Sequence, residues 1–269
     1  MKIILNKRKL INILKHKRDL GFVPTIGSIH KGHISLIKKS IKLSQETIVS
    51  IFINKHQFNR KIDYQKYPKS IEKDTSILRK CNIDYLYLPQ NKQIYPNGPS
   101  KKIKINTLSK KLCGKFRTNH FEAVADVVNR LVKIIKPSKI FFGEKDMQQL
   151  KIMEDFFKKK KIKIKVIYCK TIRENNGIAC SSRNVLLLKK QKAVASNVYK
   201  LISKNKNQLL KKNYLLKKIK AKILKMGVEK IDYLKILDIN KLIKPFKKNV
   251  KFRIFIAYYL GKTRLIDNI

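Results

Sequence analysis

Apolar and polar positions along the chain predict strands and helices in alternation. Short apolar runs rich in β-branched residues are typical of buried parallel strands, and longer segments with apolar residues three and four positions apart are typical of helices. The runs that predict strands are 21–25, 47–54, 83–88, 139–142 and 162–169. The segments that predict helices lie within 1–20, from strand 21–25 onward to about residue 43, and at 69–80, 120–135 and 146–160. This alternation predicts an α/β fold with a Rossmann-like, doubly wound parallel sheet, and Asn, Pro and Gly predict a loop at 91–99.

The pattern changes near residue 175. Lysine-rich segments predict helices at 186–203 and 214–225, and apolar residues predict a strand at 232–237. The stretch 252–266 predicts two strands that turn at Gly261 and Lys262. We therefore expect two domains, 1–174 and a smaller α+β domain at 175–269, with the boundary within 171–177.

Composition excludes a membrane-spanning protein. The 269 residues are 43% hydrophobic, and the longest apolar runs are far too short to cross a bilayer. The amino-terminal residues lack the long apolar run of a signal peptide, and the cysteines Cys81, Cys113, Cys169 and Cys180 are scattered without metal-ligand spacing. We expect a cytoplasmic protein with reduced thiols and no bound metal cluster.

The net charge of +48, from 65 Lys and Arg against 17 Asp and Glu, favours an RNA-binding protein when taken alone. The lysines are nevertheless spread along the whole chain, without a nucleic-acid-binding motif. We interpret them as compositional drift, and expect RNA binding to be weak and lost at moderate salt. The same field would attract an anionic substrate.

The strongest chemical signal follows the strand at 21–25. Gly27 breaks the apolar pattern, and His30, Gly32 and His33 then lead into a predicted helix. In an open parallel sheet, ligands bind at the carboxyl ends of strands, and a helix N-terminus favours a phosphate. Two imidazoles three residues apart can donate to the same phosphate, although a surface loop with two titrating histidines is the plain alternative.

H-x-G-H is the signature of nucleotidylyl transferases, and the longer pattern PTxGxxHxGHxSL resembles the pantoate–β-alanine ligase family, also called pantothenate synthetases. Ile26 stands where that family usually has methionine. For this segment the resemblance implies an ATP site formed by Ile26, Gly27, Ser28, Ile29, His30, Lys31, Gly32 and His33.

Two further segments resemble the family's VNPxQF and FRPGHF patterns. In the first, Asn54 and Gln57 match and imply binding of pantoate or β-alanine, while Lys55 replaces proline; a loop amide that caps a helix is the alternative. In the second, Thr118-Asn119 replaces Pro-Gly between Arg117 and His120. Arg117 is suited to bind an anion, and we expect His120 to cap the following helix rather than to act in catalysis.

The segment Phe142-Gly-Glu-Lys-Asp-Met-Gln-Gln149 follows another predicted strand. Lys145 offers a positive charge for a phosphate, and Asp146 can accept from a ribose hydroxyl or hold Mg²⁺ through water. The resemblance implies nucleotide binding by Gly143, Glu144, Lys145 and Asp146, and pantoate binding by Gln149. Solvated charges at a helix N-terminus are the alternative.

The segment 171–184 resembles the family's TxRExxGLAMSSRN, with Cys180 in place of methionine. The resemblance implies that the backbone of Ile172 meets adenine and that the triphosphate binds the side chains that follow. A glycine-containing loop is suited to close over the site and exclude water. The implied nucleotide-binding residues here are Ile172, Cys180, Ser181, Ser182 and Arg183.

The resemblance covers nearly the whole chain and implies one reaction. ATP and pantoate would form a pantoyl adenylate and pyrophosphate, and β-alanine would then give pantothenate and AMP, with Mg²⁺ as the metal and a homodimer as the assembly. Residues 1–174 would bind ATP and pantoate, and 175–269 would act as a lid. The implied catalytic residues are His33, His30, Lys145 and Arg183. Another H-x-G-H nucleotidylyl transferase, or a basic RNA-binding protein, are the alternatives.

Overall fold

The computed structural model of the protein describes residues 1–59, 61–65, 67–100, 102–211, 214–239, 242–243 and 251–269. The chain forms two compact units. The first comprises residues 1–144 and 148–170, and the second comprises residues 145–147 and 171–269. The short segment 145–147 thus belongs with the carboxyl-terminal part of the chain.

The first unit contains a parallel sheet, in which the described residues form six strands in the order β1-β4-β3-β2-β5-β6. Their bounds are β1 Lys2–Ile4, β2 Leu20–Thr25, β3 Glu46–Ile51, β4 Tyr85–Tyr87, β5 Lys139–Gly143 and β6 Lys165–Cys169. From β2 the chain adds β3 and β4 on one side, and then β5 and β6 on the other. The sheet is therefore doubly wound, as predicted, with its topological switch point between β2 and β5.

Helices connect these strands. They are α1 Lys7–Leu14, α2 Lys31–Leu43, α3 Lys61–Gln65, α4 Ile71–Lys80, α5 Asn91–Ile94, α6 Cys113–Phe116, α7 His120–Ile135 and α8 Met147–Lys159. The helix α7 has the bounds that the sequence predicts, and the apolar residues that recur every three or four positions, such as Val124, Val128 and Leu131, are buried. It ends at Ile135, and its C-cap Lys136 takes the left-handed conformation directly before Pro137.

The core of the first unit explains why its central strands are so apolar. Ile48 and Val49 of β3 and Phe22 and Val23 of β2 are fully buried, as expected for parallel strands covered on both faces. Ile37 of α2 packs in the same core cluster as Val23 and Val49. This packing fixes the position of α2, the helix that follows the two histidines.

The second unit pairs two helices with an antiparallel sheet, in which the described residues form three strands. These elements are α9 Lys189–Lys211, α10 Leu215–Lys225, β7 Lys230–Asp238, β8 Phe252–Leu260 and β9 Thr263–Asn268, with the strand order β7-β8-β9. Apolar residues of both helices and of the sheet form one core. The predicted turn at Gly261 and Lys262 joins β8 to β9, and Gly261 takes a positive φ of 57°.

Residues 1–20 hold the predicted helix, α1, and also a strand that the sequence does not predict, because Lys2–Ile4 forms β1 and pairs with β4. Three other predictions of local structure differ from what the structure shows. The predicted loop 91–99 contains α5. The predicted helix 186–203 is a 3₁₀ turn at Ser182–Leu186 followed by α9, which continues eight residues further because Leu209 is fully buried. The helix predicted at 146–160 starts at Met147, after a 3₁₀ turn.

The burial of Ile37 gives a test of this packing. Ile37→Val should lower the free energy of unfolding by about 0.5–1.5 kcal/mol, because it removes a buried methyl group. Ile41→Val, on the same helix and 40% exposed, makes the same change in helix propensity and should stay within about 0.5 kcal/mol of the parent. Urea denaturation measures both, and equal losses for the two variants would contradict the assigned orientation of α2.

Candidate functional site

The two histidines lie where β2 gives way to α2. His30 is the N-cap of α2, and its Nδ1 accepts a hydrogen bond from the backbone N–H of Gly32 at 3.1 Å. An imidazole that accepts at Nδ1 carries its proton on Nε2 when neutral. The cap therefore selects the tautomer of His30 in which Nε2 is a donor.

His33 lies in the first turn of α2, and its ring is next to that of His30. The ring centroids are 4.0 Å apart, with the planes inclined by 32°. Both residues are half-buried. They follow β2, which together with β5 borders the switch point where doubly wound sheets bind ligands. The paired imidazoles thus lie at the edge where a phosphate would be expected.

A buried carboxylate that the sequence did not reveal holds the loop before His30. Asp74 of α4 is 3% exposed, and its two oxygens accept the backbone N–H groups of Ser28 and Ile29, each at 2.7 Å. Gly27 and Ser28 both have positive φ, 82° and 55°, a conformation that costs energy for serine unless the surroundings impose it. Tyr67 adds a hydrogen bond from its hydroxyl to the carbonyl of Gly27 at 3.2 Å.

The loop after β3 is held by hydrogen bonds that each join a side chain to a backbone group. Asn54 is 1% exposed: its side chain caps the 3₁₀ turn Lys55–Gln57 and donates to the carbonyl of Ala123 at 3.2 Å. The carbonyl of Gln57 accepts from Nη2 of Arg117 at 3.2 Å and lies 2.8 Å from Nδ1 of His120. These last contacts use the backbone of Gln57 and not its side-chain amide.

The prediction that His120 caps α7 is wrong, because Asn119 occupies the N-cap position and His120 is the first helical residue. Asn119 has φ 59° and ψ 6°, in the left-handed region. Asparagine tolerates that conformation better than most residues, so the replacement of the family's Pro-Gly by Thr118-Asn119 keeps a residue suited to this backbone.

Glycine and glutamine mark the end of β5. A Cβ at Gly143 would lie 3.9 Å from its nearest neighbour, Leu36 Cδ1, so packing within the protein does not require glycine there. Gln148 is buried, and its amide holds the backbone N–H of Cys113 and the carbonyls of Leu108 and Lys111. Gln149, the predicted pantoate residue, is half-buried, as is Glu144.

The second unit holds the other predicted phosphate residues. Nζ of Lys145 lies 3.6 Å from Oδ1 of Asp146, and their side chains are 17% and 48% exposed. Lys145 lines one cavity of this unit together with Ser181 and Arg183. The structure therefore brings these three predicted residues to one place.

The segment 171–184 forms a narrow hairpin. Arg173 and Ala179 make an antiparallel bridge, and the backbone N–H of Cys180 donates to the carbonyl of Ile172 at 2.9 Å. Ser181 caps the 3₁₀ turn Ser182–Leu186 by accepting from the backbone N–H of Arg183 at 3.3 Å. The cap sets the direction in which Ser182 and Arg183 leave the hairpin.

The thiol at the end of β6 is not suited to chemistry. Burial raises the pKa of the Cys169 thiol to about 11, which keeps it protonated and unreactive at neutral pH.

Among the described residues, no group of three or more His, Cys, Asp and Glu side chains is arranged to hold a metal ion. In the same part of the chain, none of the helices has the length and apolar character needed to cross a bilayer.

Comparison with known proteins decides the family. A family model described as pantoate–β-alanine ligase matches residues 2–269. The chain belongs to the pantoate–β-alanine ligase family. Among the pantothenate synthetases that resemble it, that of Endomicrobium trichonymphae is 40% identical, covering 100% of this chain and 97% of that protein. A second, from a Sulfurihydrogenibium species, is 37% identical, covering 100% and 99%.

Solved structures of pantoate–β-alanine ligases have the same fold. The Thermus thermophilus enzyme matches with a TM-score of 0.92 at 29% identity, covering 100% of this chain and 99% of that one. The Francisella tularensis enzyme, solved in complex with beta-gamma ATP and β-alanine, matches with a TM-score of 0.85 at 35% identity, covering 100% and 97%. The predicted family, the α/β fold class and the assignment as a ligase of pantothenate biosynthesis are confirmed.

The two hydrogen bonds of Asp74 give a test of how the histidine loop is held. In Asp74→Asn one acceptor becomes an NH₂ group that faces a backbone N–H, so the free energy of unfolding should fall by about 1–3 kcal/mol. Glu72→Gln, an exposed position in the first turn of the same helix, is the matched control and should change it by less than about 0.5 kcal/mol. Denaturant titration compares the two, and an unchanged Asp74→Asn protein would refute the role of Asp74.

Proposed function

We propose that this chain condenses pantoate with β-alanine to pantothenate, through a pantoyl adenylate and with release of AMP and pyrophosphate. The observation that carries the proposal is the His30–His33 pair, whose ring centroids lie 4.0 Å apart beside a loop that the buried Asp74 fixes at the switch point of the sheet. Family membership and a relative solved with beta-gamma ATP and β-alanine support ATP as the co-substrate.

In the first step, an oxygen of the pantoate carboxylate attacks the α-phosphorus of ATP. A new carboxyl O–P bond forms as the bond between the α-phosphorus and the bridging oxygen breaks, and pyrophosphate carries away the electron pair. The carboxylate is already a nucleophile, so the protein needs to neutralise charge rather than to supply a covalent group. We assign this task to His30, His33, Lys145 and Arg183, with His33 as proton donor.

The nucleotide contacts follow from the same loops. A phosphate and sugar could closely approach the backbone from Ile26 to His33 and the glycine at the end of β5. At Gly143 the protein leaves space that a side chain would fit, and this space would be open to the nucleotide. Ile172 and Cys180 would contact the base. The remaining proposed nucleotide-binding residues are Glu144, Lys145, Asp146, Ser181, Ser182 and Arg183.

In the second step, the amine of β-alanine attacks the acyl carbon of the adenylate. The C–N bond forms, the acyl C–O bond breaks, the amine loses a proton, and AMP leaves with the electron pair. The amide side chains of Gln57 and Gln149 can donate to and accept from a hydroxy acid, so we assign pantoate to them. Asn54 spends its amide on internal bonds, which supports a role in positioning Gln57.

Mg²⁺ fits the chemistry of this site through the nucleotide. Mg²⁺ in such sites keeps several waters and is held by one or two carboxylates and by substrate phosphates, so a cluster of protein ligands is not required. Asp146, with its side chain 48% exposed, is the proposed carboxylate. The ion would supply charge neutralisation at the triphosphate. The cytoplasmic location, the homodimer, the lid role of 175–269 and the absence of specific nucleic-acid binding stay predictions.

Exchange of labelled pyrophosphate into ATP tests the first step. The parent protein should catalyse exchange that requires pantoate and needs no β-alanine. His33→Ala should slow that exchange on the order of 10²-fold, because it removes a preorganised donor. Exchange that depends on a different acceptor acid would favour another nucleotidylyl transferase.

The matched control is His16→Ala, which removes an exposed imidazole beyond the end of α1. It should leave the exchange rate unchanged. Near-normal exchange in His33→Ala would remove His33 from the mechanism.

A further inference from the structure

Two neighbouring residues at the end of β9 hold two different segments of the second unit. Asp267 and Asn268 pair with Ile256 and Phe255 of β8. Successive side chains of a strand point to opposite faces, so adjacent residues can serve separate partners. The function of the family does not by itself assign a task to either residue.

Asn268 holds the backbone of Lys145. Its Nδ2 donates to the carbonyl of Lys145 at 2.8 Å, and its Oδ1 accepts from Nη1 of Arg253 at 2.7 Å. Asn268 is 4% exposed, and the bond to Arg253 fixes which way the amide faces. The backbone of Lys145 is thereby tied to the end of β9, next to the Cα atom that carries the lysine side chain.

Asp267 holds the hairpin 171–184. Its carboxylate accepts two hydrogen bonds from the guanidinium of Arg173, at 2.6 and 3.0 Å, the paired geometry that fixes orientation best. Nη1 of Arg173 also donates to the carbonyl of Gly177 at 3.0 Å, and the guanidinium lies over the ring of Tyr199, 4.2 Å from its centroid. The side chains of Arg173 and Asp267 are 19% and 12% exposed, so this ion pair is only weakly screened by water.

We propose that Asn268 and Asp267 are positioning residues for adenylyl transfer, which hold Lys145 and the hairpin that carries Ser181 and Arg183 in one fixed relation. The proposal rests on the proposed function, because it takes Lys145 and Arg183 as the groups that bind the triphosphate. Transfer reactions are sensitive to such placement, since a shift of 1 Å in a catalytic group can cost on the order of 10²-fold in rate.

The variant Asn268→Asp separates the two bonds of Asn268. The carboxylate still accepts from Arg253 but can no longer donate to the carbonyl of Lys145. Pantoate-dependent pyrophosphate exchange should slow by roughly tenfold or more, whereas the reaction of preformed pantoyl adenylate with β-alanine, which does not use the triphosphate, should keep its rate. Asn268→Ser, which is too short to reach Lys145 and adds no charge, should slow the same step.

Asn205→Asp is the matched control. The amide of Asn205 donates to the carbonyl of Leu201 at 2.8 Å, within α9 of the same unit, so this variant makes the same chemical change at a side-chain bond to a backbone carbonyl. Its exchange rate should equal that of the parent. Thermal unfolding of each variant checks that the protein measured is folded.

A double variant tests whether Asn268 acts through Lys145. In a Lys145→Ala background, Asn268→Asp should cause no further loss of exchange, because the group that it positions is gone. Multiplicative losses, equal slowing of both chemical steps, or an Asn268→Asp protein that behaves like the Asn205 control would overturn the proposal. Absence of pantoate-dependent exchange in the parent would instead reject the proposed function.

Discussion

The pairing of β2 with both β3 and β5 is the constraint on which the first unit depends. The carboxyl ends of parallel strands lie at one edge of a sheet, and the strands that follow β2 and β5 along the chain, β3 and β6, lie on opposite sides of this pair. Loops that follow these strands therefore diverge and leave space between them. Asp74 holds the loop before the histidines by accepting the backbone N–H groups of Ser28 and Ile29, so the backbone at these two residues is held by a side chain other than the two imidazoles.

In the second unit, hydrogen bonds to the sheet hold short segments that form little hydrophobic core of their own. The hairpin 171–184 and the segment 145–147 are both bonded to the end of β9. The lysines of α9 and α10 whose side chains the structure describes lie mostly on exposed positions, while Ile202 and Ile223 are fully buried. The positive charge of these lysines is thus carried on the solvent face, where it can attract anionic substrates without disturbing the core.

Long, strongly periodic elements could be predicted from the sequence, and short or polar ones could not. The helix α7 and the strand β3 show their burial in their own residues, whereas Lys2–Ile4 becomes a strand only because β4 is available to pair with it. The motif residues of the candidate site could be named from resemblance to the family. Asp74 could not, because an aspartate in the first turn of a predicted helix is usually a solvated charge, and its partner lies 45 residues away along the chain. Asn268 could not be predicted for the same reason, since its bond to Lys145 joins residues 123 positions apart in the sequence.

Formation of the adenylate requires that the pantoate carboxylate attack the α-phosphorus of ATP. Pantoate labelled with ¹⁸O in both carboxyl oxygens tests this attack in a single turnover with ATP and β-alanine, followed by mass spectrometry of the products. Attack by the carboxylate should place one ¹⁸O atom in AMP, one in pantothenate and none in pyrophosphate. Unlabelled AMP, with the ¹⁸O in a phosphate derived from the β- or γ-position, would contradict it.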